Sequence, residues 1–286
     1  MSKDEFSFES YSKLKEASIS LADLLKSKKD IIAIISQNHS DNLSASGIIV
    51  SCLKEHKIGS HVITVSDSKE IEGRVKNTSY STFIFIGFEA NELPIEILNN
   101  KDIETIIIGY DFIIDKEIKV SWEGMRILSL NKFGLENNLL SNSGIAYLVA
   151  SGFLEDHYKY SGLAILGALA RKQIDTKQKL IGISKLILEE GKEYKILRET
   201  KGIKIPGRES QPINQALEYS INPVFPGLTG KKDACTSFVS KLDIDIYDHG
   251  GNPRTISQLT SEETLKLNDA LVSLLEGEIS KILGPI

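Results

Sequence analysis

Cysteine is scarce: Cys52 and Cys235 are the only two in 286 residues. Two thiols cannot build a disulfide framework or a four-cysteine zinc site, and there is no Cys-x-x-Cys pair or clustered His/Cys motif. No apolar run approaches the roughly 18 residues of a membrane span. The opening Met1-Ser2-Lys3-Asp4-Glu5-Phe6 puts acids where a secretory signal needs basic and then apolar residues. The expectation is a cytoplasmic protein with no membrane partner. An excess of positive charge is missing too. With 39 acidic against 34 basic side chains and a formal charge of −5, a dedicated duplex-coating protein is disfavoured, although local basic patches are not. Neither G-x-G-x-x-G nor G-x-x-x-x-G-K-[ST] occurs, and Gly250-Gly251 is too short and isolated to cradle a phosphate. No nucleotide, metal or other cofactor is expected.

What the chain does have is a series of short β-branched and aromatic runs. Ile31 to Ile35 is a continuous apolar stretch of the kind buried on both faces of a parallel sheet. Similar runs recur at Val62 to Val65, Phe83 to Ile86, Ile106 to Ile108 and Ile127 to Leu130. Helical patterns precede the first run, at Ser7 to Lys29, and follow it, at Leu43 to His56. Periodicity is poor at Glu70 to Ser81 and Phe112 to Gly124. The fold class expected is α/β, with a doubly wound, mostly parallel five-stranded sheet and flanking helices.

Three more helices are expected at Ser143 to Leu154, Gly162 to Lys172 and Thr176 to Glu190, the last stopping at Gly191. Then the texture changes. Four of the seven prolines, Pro206, Pro212, Pro223 and Pro226, cluster with Gly207, Gly227 and Gly230, which excludes regular structure throughout. The expected division is 1–190 for the α/β domain and 191–286 for a smaller C-terminal extension. That extension holds a proline- and glycine-rich wrap, a short helix from Lys232 to Leu242 and a turn at 249–252. A last helix opens on Thr260-x-x-Glu263, the spacing of a capping box.

Ligands of open parallel sheets bind beyond the carboxyl ends of the strands. The residues there are Gln37 to Asn42 after the first run, Gly87-Phe88-Glu89 after the third and Gly109-Tyr110-Asp111 after the fourth. The segment Ile35 to Ile48 resembles the first motif of the DHH phosphoesterase superfamily, a strand followed by His-x-Asp-x-Asp-Gly. On that match Gln37 stands for the His, His39 for the first Asp, Asp41 for the second and Asn42 for the Gly. Phe83 to Gly87 resembles the second motif with Phe85 in place of its Asp. Gly109, Tyr110 and Asp111 occupy the Asp-His-His signature, and Arg171 stands where the fourth motif carries an Asp. The segments Asn142 to Leu148, Gly182 to Gly191, Pro206 to Leu217 and Asn222 to Gly230 narrow the resemblance to the archaeal RecJ-like branch. That branch includes the GINS-associated nuclease and the archaeal relatives of cell division cycle protein 45.

The resemblance implies a two-metal phosphoesterase whose ligands are lost. Two adjacent dications require converging negative oxygens. Of the matched positions only Asp41 keeps a family carboxylate, with His39 and Asp111 as displaced substitutes, and Arg171 brings a fixed positive charge. No catalytic residue and no metal ligand is therefore expected. The DHH-associated nucleic-acid-binding domain of active relatives is expected to be absent. By family implication the chain is a scaffold in DNA replication, nucleoid-associated. It would bind GINS through the small C-terminal domain of a GINS subunit, and with it the MCM motor of the archaeal replicative helicase.

Blander readings stand beside each feature. An Asp just ahead of a helix reads first as a capping or turn residue, and Tyr110 with Asp111 as a solvated loop. Arg171 and Lys172 beside Lys177 and Lys179, and the run Arg198, Lys201, Lys204 and Arg208, are candidate contacts to single-stranded DNA, though lysine-rich helix faces are common. Trp122, Phe112, Phe133 and Tyr110 are too irregularly spaced for a base-stacking platform and read as packing residues. Two alternatives to a scaffold remain: a divergent phosphoesterase or single-strand exonuclease using Asp41, His39 and Asp111 with one metal, and a non-catalytic single-stranded DNA-binding module.

Overall fold

The computed structural model describes residues 6–98, 102–112, 124–175, 179–199 and 202–283, with side chains to 275. Contacts divide the chain into two compact units, Met1–Arg198 and Glu199–Ile286.

The first unit is built on five parallel strands, β1 (Ile32–Gln37), β2 (Ser60–Val65), β3 (Thr82–Ile86), β4 (Glu104–Ile108) and β5 (Arg126–Leu128), in the order β2-β1-β3-β4-β5. Side chains alternate across the sheet. Ile32, Ile34, Ile84, Ile86, Ile106 and Ile108 point to one core, and Ala33, Ile35, Phe83, Phe85 and Ile107 to the other. The uninterrupted apolar runs are thus two interleaved faces, each covered. Over the first face pack α1 (Phe8–Lys26), α2 (Ser40–Glu55), α5 (Asn142–Phe153), α6 (Ser161–Ala170) and α7 (Gly182–Glu193). Over the second lie α3 (Lys69–Lys76) and the single turn α4 (Ile95–Leu98). The sheet is doubly wound as expected. Its chain reverses between β1 and β3, and the carboxyl ends of those two strands open the crevice where this topology places ligands.

Three differences from the sequence reading have local causes. A helix forms at Lys69–Lys76 despite the poor periodicity, because two residues suffice to anchor it: Ile71 and Val75, four apart, are buried. The helix expected from Thr176 starts only at Gly182. An antiparallel bridge between Ile174 and Leu180, with the Asp175 N–H donated to the Lys179 carbonyl, precedes it. Its end also moves: Gly191 lies inside the helix and its carbonyl accepts the N–H groups of Ile196 and Leu197, while Lys195, at φ 59°, supplies the left-handed exit. Helix α7 runs through 190/191, and the contacts divide the chain at 198/199.

The second unit has its own core. Ile213 and Leu217 of α8 (Ile213–Glu218), Cys235 and Val239 of α9 (Lys232–Lys241), Leu267 and Leu271 of α10 (Ser261–Leu283), and Phe225, Ile244 and Ile256 between helices are buried together. The proline-rich segment wraps this core, with a cis peptide at Asn222–Pro223. The capping box at the start of α10 forms: Glu263 N–H donates to Thr260 Oγ1 at 3.2 Å and Thr260 N–H to Glu263 Oε2 at 2.8 Å. Among the described residues, no helix is long and apolar enough to cross a membrane.

Candidate functional site

At the carboxyl end of β1 the chain turns directly into α2, so Asp41 is a first-turn residue whose side chain faces inward. It is fully buried. Its Oδ1 accepts the Ser143 N–H at 2.9 Å, and its Oδ2 accepts the Asn142 N–H at 3.0 Å and the Arg171 Nε–H at 3.2 Å. Asn142 and Ser143 open α5, behind Ser141 as N-cap. The carboxylate therefore faces two unpaired N–H groups of a helix start, where the helix dipole is positive, and a guanidinium that follows α6. Three donors on two oxygens satisfy a group that would be costly to bury alone.

The guanidinium is held in turn. Arg171 Cζ lies 4.7 Å from the centroid of the Tyr110 ring, a cation–π contact. Burial, and then the neighbouring Asp111 carboxylate, push the Tyr110 hydroxyl above its ordinary range, against the opposing pull of Arg171. The approach of α6 to this node depends on Gly167. A Cβ there would sit 2.0 Å from Ser143 Oγ and 2.4 Å from Asp41 Oδ1, distances no real Cβ adopts, so only glycine fits.

A directed amide chain runs alongside. Tyr110 N–H donates to Asn142 Oδ1 at 2.7 Å, and Asn142 Nδ2–H to Asn42 Oδ1 at 2.8 Å. The backbone donor at one end fixes both amide orientations. Asn42 Nδ2 is left without a partner and packs over Gly87. Gly87 is at φ +83°, and a Cβ there would lie 2.2 Å from that nitrogen, so glycine is required twice over.

The remaining motif positions are dispersed into other tasks. Gln37 Nε2–H reaches both Glu92 oxygens, at 3.2 and 3.1 Å. His39 caps α2, its Nδ1 accepting the Asp41 N–H at 3.3 Å. Phe85 is fully buried, its ring 6.0 Å from Phe83 and 6.2 Å from Phe88. Gly109 donates its N–H to Leu128 and accepts that of Phe112, whose Cβ leaves no room for a side chain there. The structure thus brings together Asp41, Arg171 and Tyr110, and sends Gln37, His39 and Phe85 elsewhere. Asn142 and Ser143, which sequence reasoning missed as site residues, sit about a hundred residues from Asp41. Their one local signal is the small polar run Ser141-Asn142-Ser143-Gly144 ahead of a helix.

The two dications implied by the resemblance do not fit these residues. Both Asp41 oxygens are engaged, a fixed cation touches one of them, and no group of three His, Cys, Asp or Glu side chains that could hold a metal occurs among the described residues. The arrangement is an electroneutral clamp that ties α2, α5 and α6 together.

The other candidate positions are divided between the two units. Arg171 is engaged with Asp41 through its Nε–H. Lys172 and Lys179 are exposed. Arg198 ends the first unit, Lys204 and Arg208 belong to the second, and Lys177 and Lys201 lie outside the described residues, as does Trp122. Arg208 Nε is 3.3 Å from Glu209 Oε1. Phe112 is buried and Phe133 packs against the first core.

Residues 205–279 match the DHH-CID domain family. Among solved structures, CDC45 from Entamoeba histolytica is similar with a TM-score of 0.56 at 15 % identity, over 95 % of this chain and 57 % of that one. Exonuclease RecJ bound to manganese matches with a TM-score of 0.48 at 15 % identity, over 92 % and 64 %. RecJ from Thermus thermophilus in complex with manganese gives 0.46 at 16 % identity, over 92 % and 37 %. No curated protein matches the chain in sequence. The chain has the fold of CDC45 while spanning little more than half of that protein's length.

Proposed function

We propose that the chain is a catalytically inert scaffold with the RecJ/DHH fold, an archaeal counterpart of cell division cycle protein 45. In this reading it binds GINS, through the small C-terminal domain of a GINS subunit, and with it the MCM motor of the replicative helicase. One observation carries the reading: Asp41, the family carboxylate this chain keeps, accepts two helix N–H groups and Arg171. Metal-assisted phosphoester hydrolysis needs ions that generate the nucleophile and neutralise the phosphate. A site whose anion is already neutralised by a guanidinium offers neither. The DHH-CID match and the CDC45 fold support the replication role.

Two experiments test it. Pure protein incubated with end-labelled single-stranded DNA and manganese gives no cleavage, and activity that disappears in Asp41→Ala overturns the inert reading. Mixed with recombinant GINS from the same organism, the protein co-elutes in size exclusion, and separate elution at micromolar concentrations overturns the partner. The single-stranded DNA-binding alternative is weakened by the engagement of Arg171.

A further inference from the structure

Helix α6 has no charged residue along its length. Its inward positions Ala164, Ile165 and Ala168 are buried, which accounts for half of that composition. The other half is on the surface. Leu163, Leu166 and Leu169 are 36, 52 and 50 % exposed, and Leu43 on the neighbouring α2 is 40 % exposed. The two helices run antiparallel. The α2 start meets the α6 end, where a Gly167 Cβ would touch Asp41, and Gly47 of α2 faces Leu163, whose Cδ1 is 3.8 Å from its Cβ position. Leu43, Gly47 and Val50 recur at helical spacing along that side of α2, and Leu163, Leu166 and Leu169 follow at three-residue spacing around the outer side of α6, which gives the helix pair its exposed apolar face.

The face is rigid, because the Asp41–Arg171 pair and the bare Cα of Gly167 fix α6 against α2. Basic residues stand at both ends. Lys54 lies one further repeat along the α2 stripe, and Lys172 follows α6; both are exposed, and neither side chain makes an ion pair among the described residues. Four half-exposed leucines present on the order of a few hundred Å², well below the roughly 800 Å² per partner of a standard interface. That area is too small for a second copy docking by this face alone, and it suits a single helix.

We propose that the α2/α6 leucine face docks one amphipathic helix of another protein, with apolar residues at three- and four-residue spacing on one side and acidic residues at its ends. The proposal stands on the surface itself and holds whether or not GINS is the partner.

The test is a fluorescence-anisotropy titration of the full chain. The probe is a labelled synthetic amphipathic peptide of about 18 residues, leucine-faced with glutamates at both ends. Saturable micromolar binding is expected, weakened at least about tenfold by Leu166→Glu and by Leu169→Gln in separate variants. The same peptide with lysine ends binds at least about tenfold less tightly. Equal binding by wild type and the leucine variants, equal binding of the two peptides, or no saturation overturns the proposal. A dimer in light scattering that Leu166→Glu dissolves assigns the face to a second copy, which also overturns it. Loss of the native circular dichroism in both variants makes these leucines core residues and overturns it equally.

Discussion

Replacing Asp41 with alanine separates a structural clamp from a metal site, because the two respond with opposite signs. In the clamp the substitution strands three donors: the N–H groups of Asn142 and Ser143, both fully buried, and Arg171 Nε. A buried donor left without a partner costs about 1–3 kcal/mol. Arg171 is 24 % exposed and recovers part of its share by turning to water. The two backbone donors set the scale, and the expected loss is about 3–5 kcal/mol, in line with breaking one side of a buried ion pair. In a metal site without metal, removing a carboxylate instead relieves repulsion and leaves the apo protein as stable or more so, and manganese raises the wild-type melting temperature. Urea denaturation of wild type, Asp41→Ala, Arg171→Met and the double variant gives both numbers and their coupling. Hydrogen exchange assigns the loss to α2, α5 and α6. The expected outcome is a large loss for Asp41→Ala, a coupling of at least about 1 kcal/mol with Arg171→Met, and a melting temperature indifferent to manganese and chelator. An Asp41→Ala variant as stable as wild type, or a wild type stabilised by manganese, refutes the clamp.

Gly167→Ala forces the clamp apart, since its Cβ would lie 2.0 Å from Ser143 Oγ; a loss of about 1–3 kcal/mol is expected in the urea midpoint, and a neutral result contradicts the close approach. In the second unit, Arg254 holds the Glu263 carboxyl at about 2, below its ordinary 4.5. Because the folded value is the depressed one, that stabilisation is complete above pH 4.5 and is lost as the pH falls towards about 2. Hydrogen exchange over residues 205–275 therefore accelerates across that interval, and Glu263→Gln flattens the dependence. Burial pushes the Cys52 thiol up to about 12 and the Cys235 thiol up to about 11. Neither reacts with Ellman's reagent at pH 8 in the native protein, and both react in urea; fast labelling of either in native buffer contradicts its burial.

The sheet was legible because β1, β3 and β4 are buried on both faces, so each shows as an unbroken apolar run whose position needs no partner to identify. β2 was harder to bound. As an edge strand it leaves His61, Val62 and Thr64 exposed, and only the Val62 to Val65 part of its six residues reads as apolar. Helix α7 was misplaced at both ends for a related reason. Its start depends on the Ile174–Leu180 bridge and its exit on Lys195 in a left-handed conformation, neither of which has a local residue preference. At the site, Asp41 and Arg171 came out of the motif comparison, but their partners did not. The N–H groups of Asn142 and Ser143 are backbone, and backbone donors leave no trace in side-chain chemistry. Glu92, which takes Gln37, lies 55 residues away and in no motif.

The residues at the crevice make physical sense only as a set. Removing carboxylates one at a time from a site shaped around dications leaves excess positive charge, and adding an arginine to an intact acidic cluster competes with the ions for the same oxygens. Here the positions are engaged with one another and with the core without ions: Arg171 against Asp41, Phe85 stacked into the second core, Gln37 turned to Glu92, His39 on the α2 cap. A metal pair lets its ligands move apart when it leaves. A guanidinium covalently tied to the end of α6 does not leave, so the helices it joins keep one relative position under all conditions of metal supply.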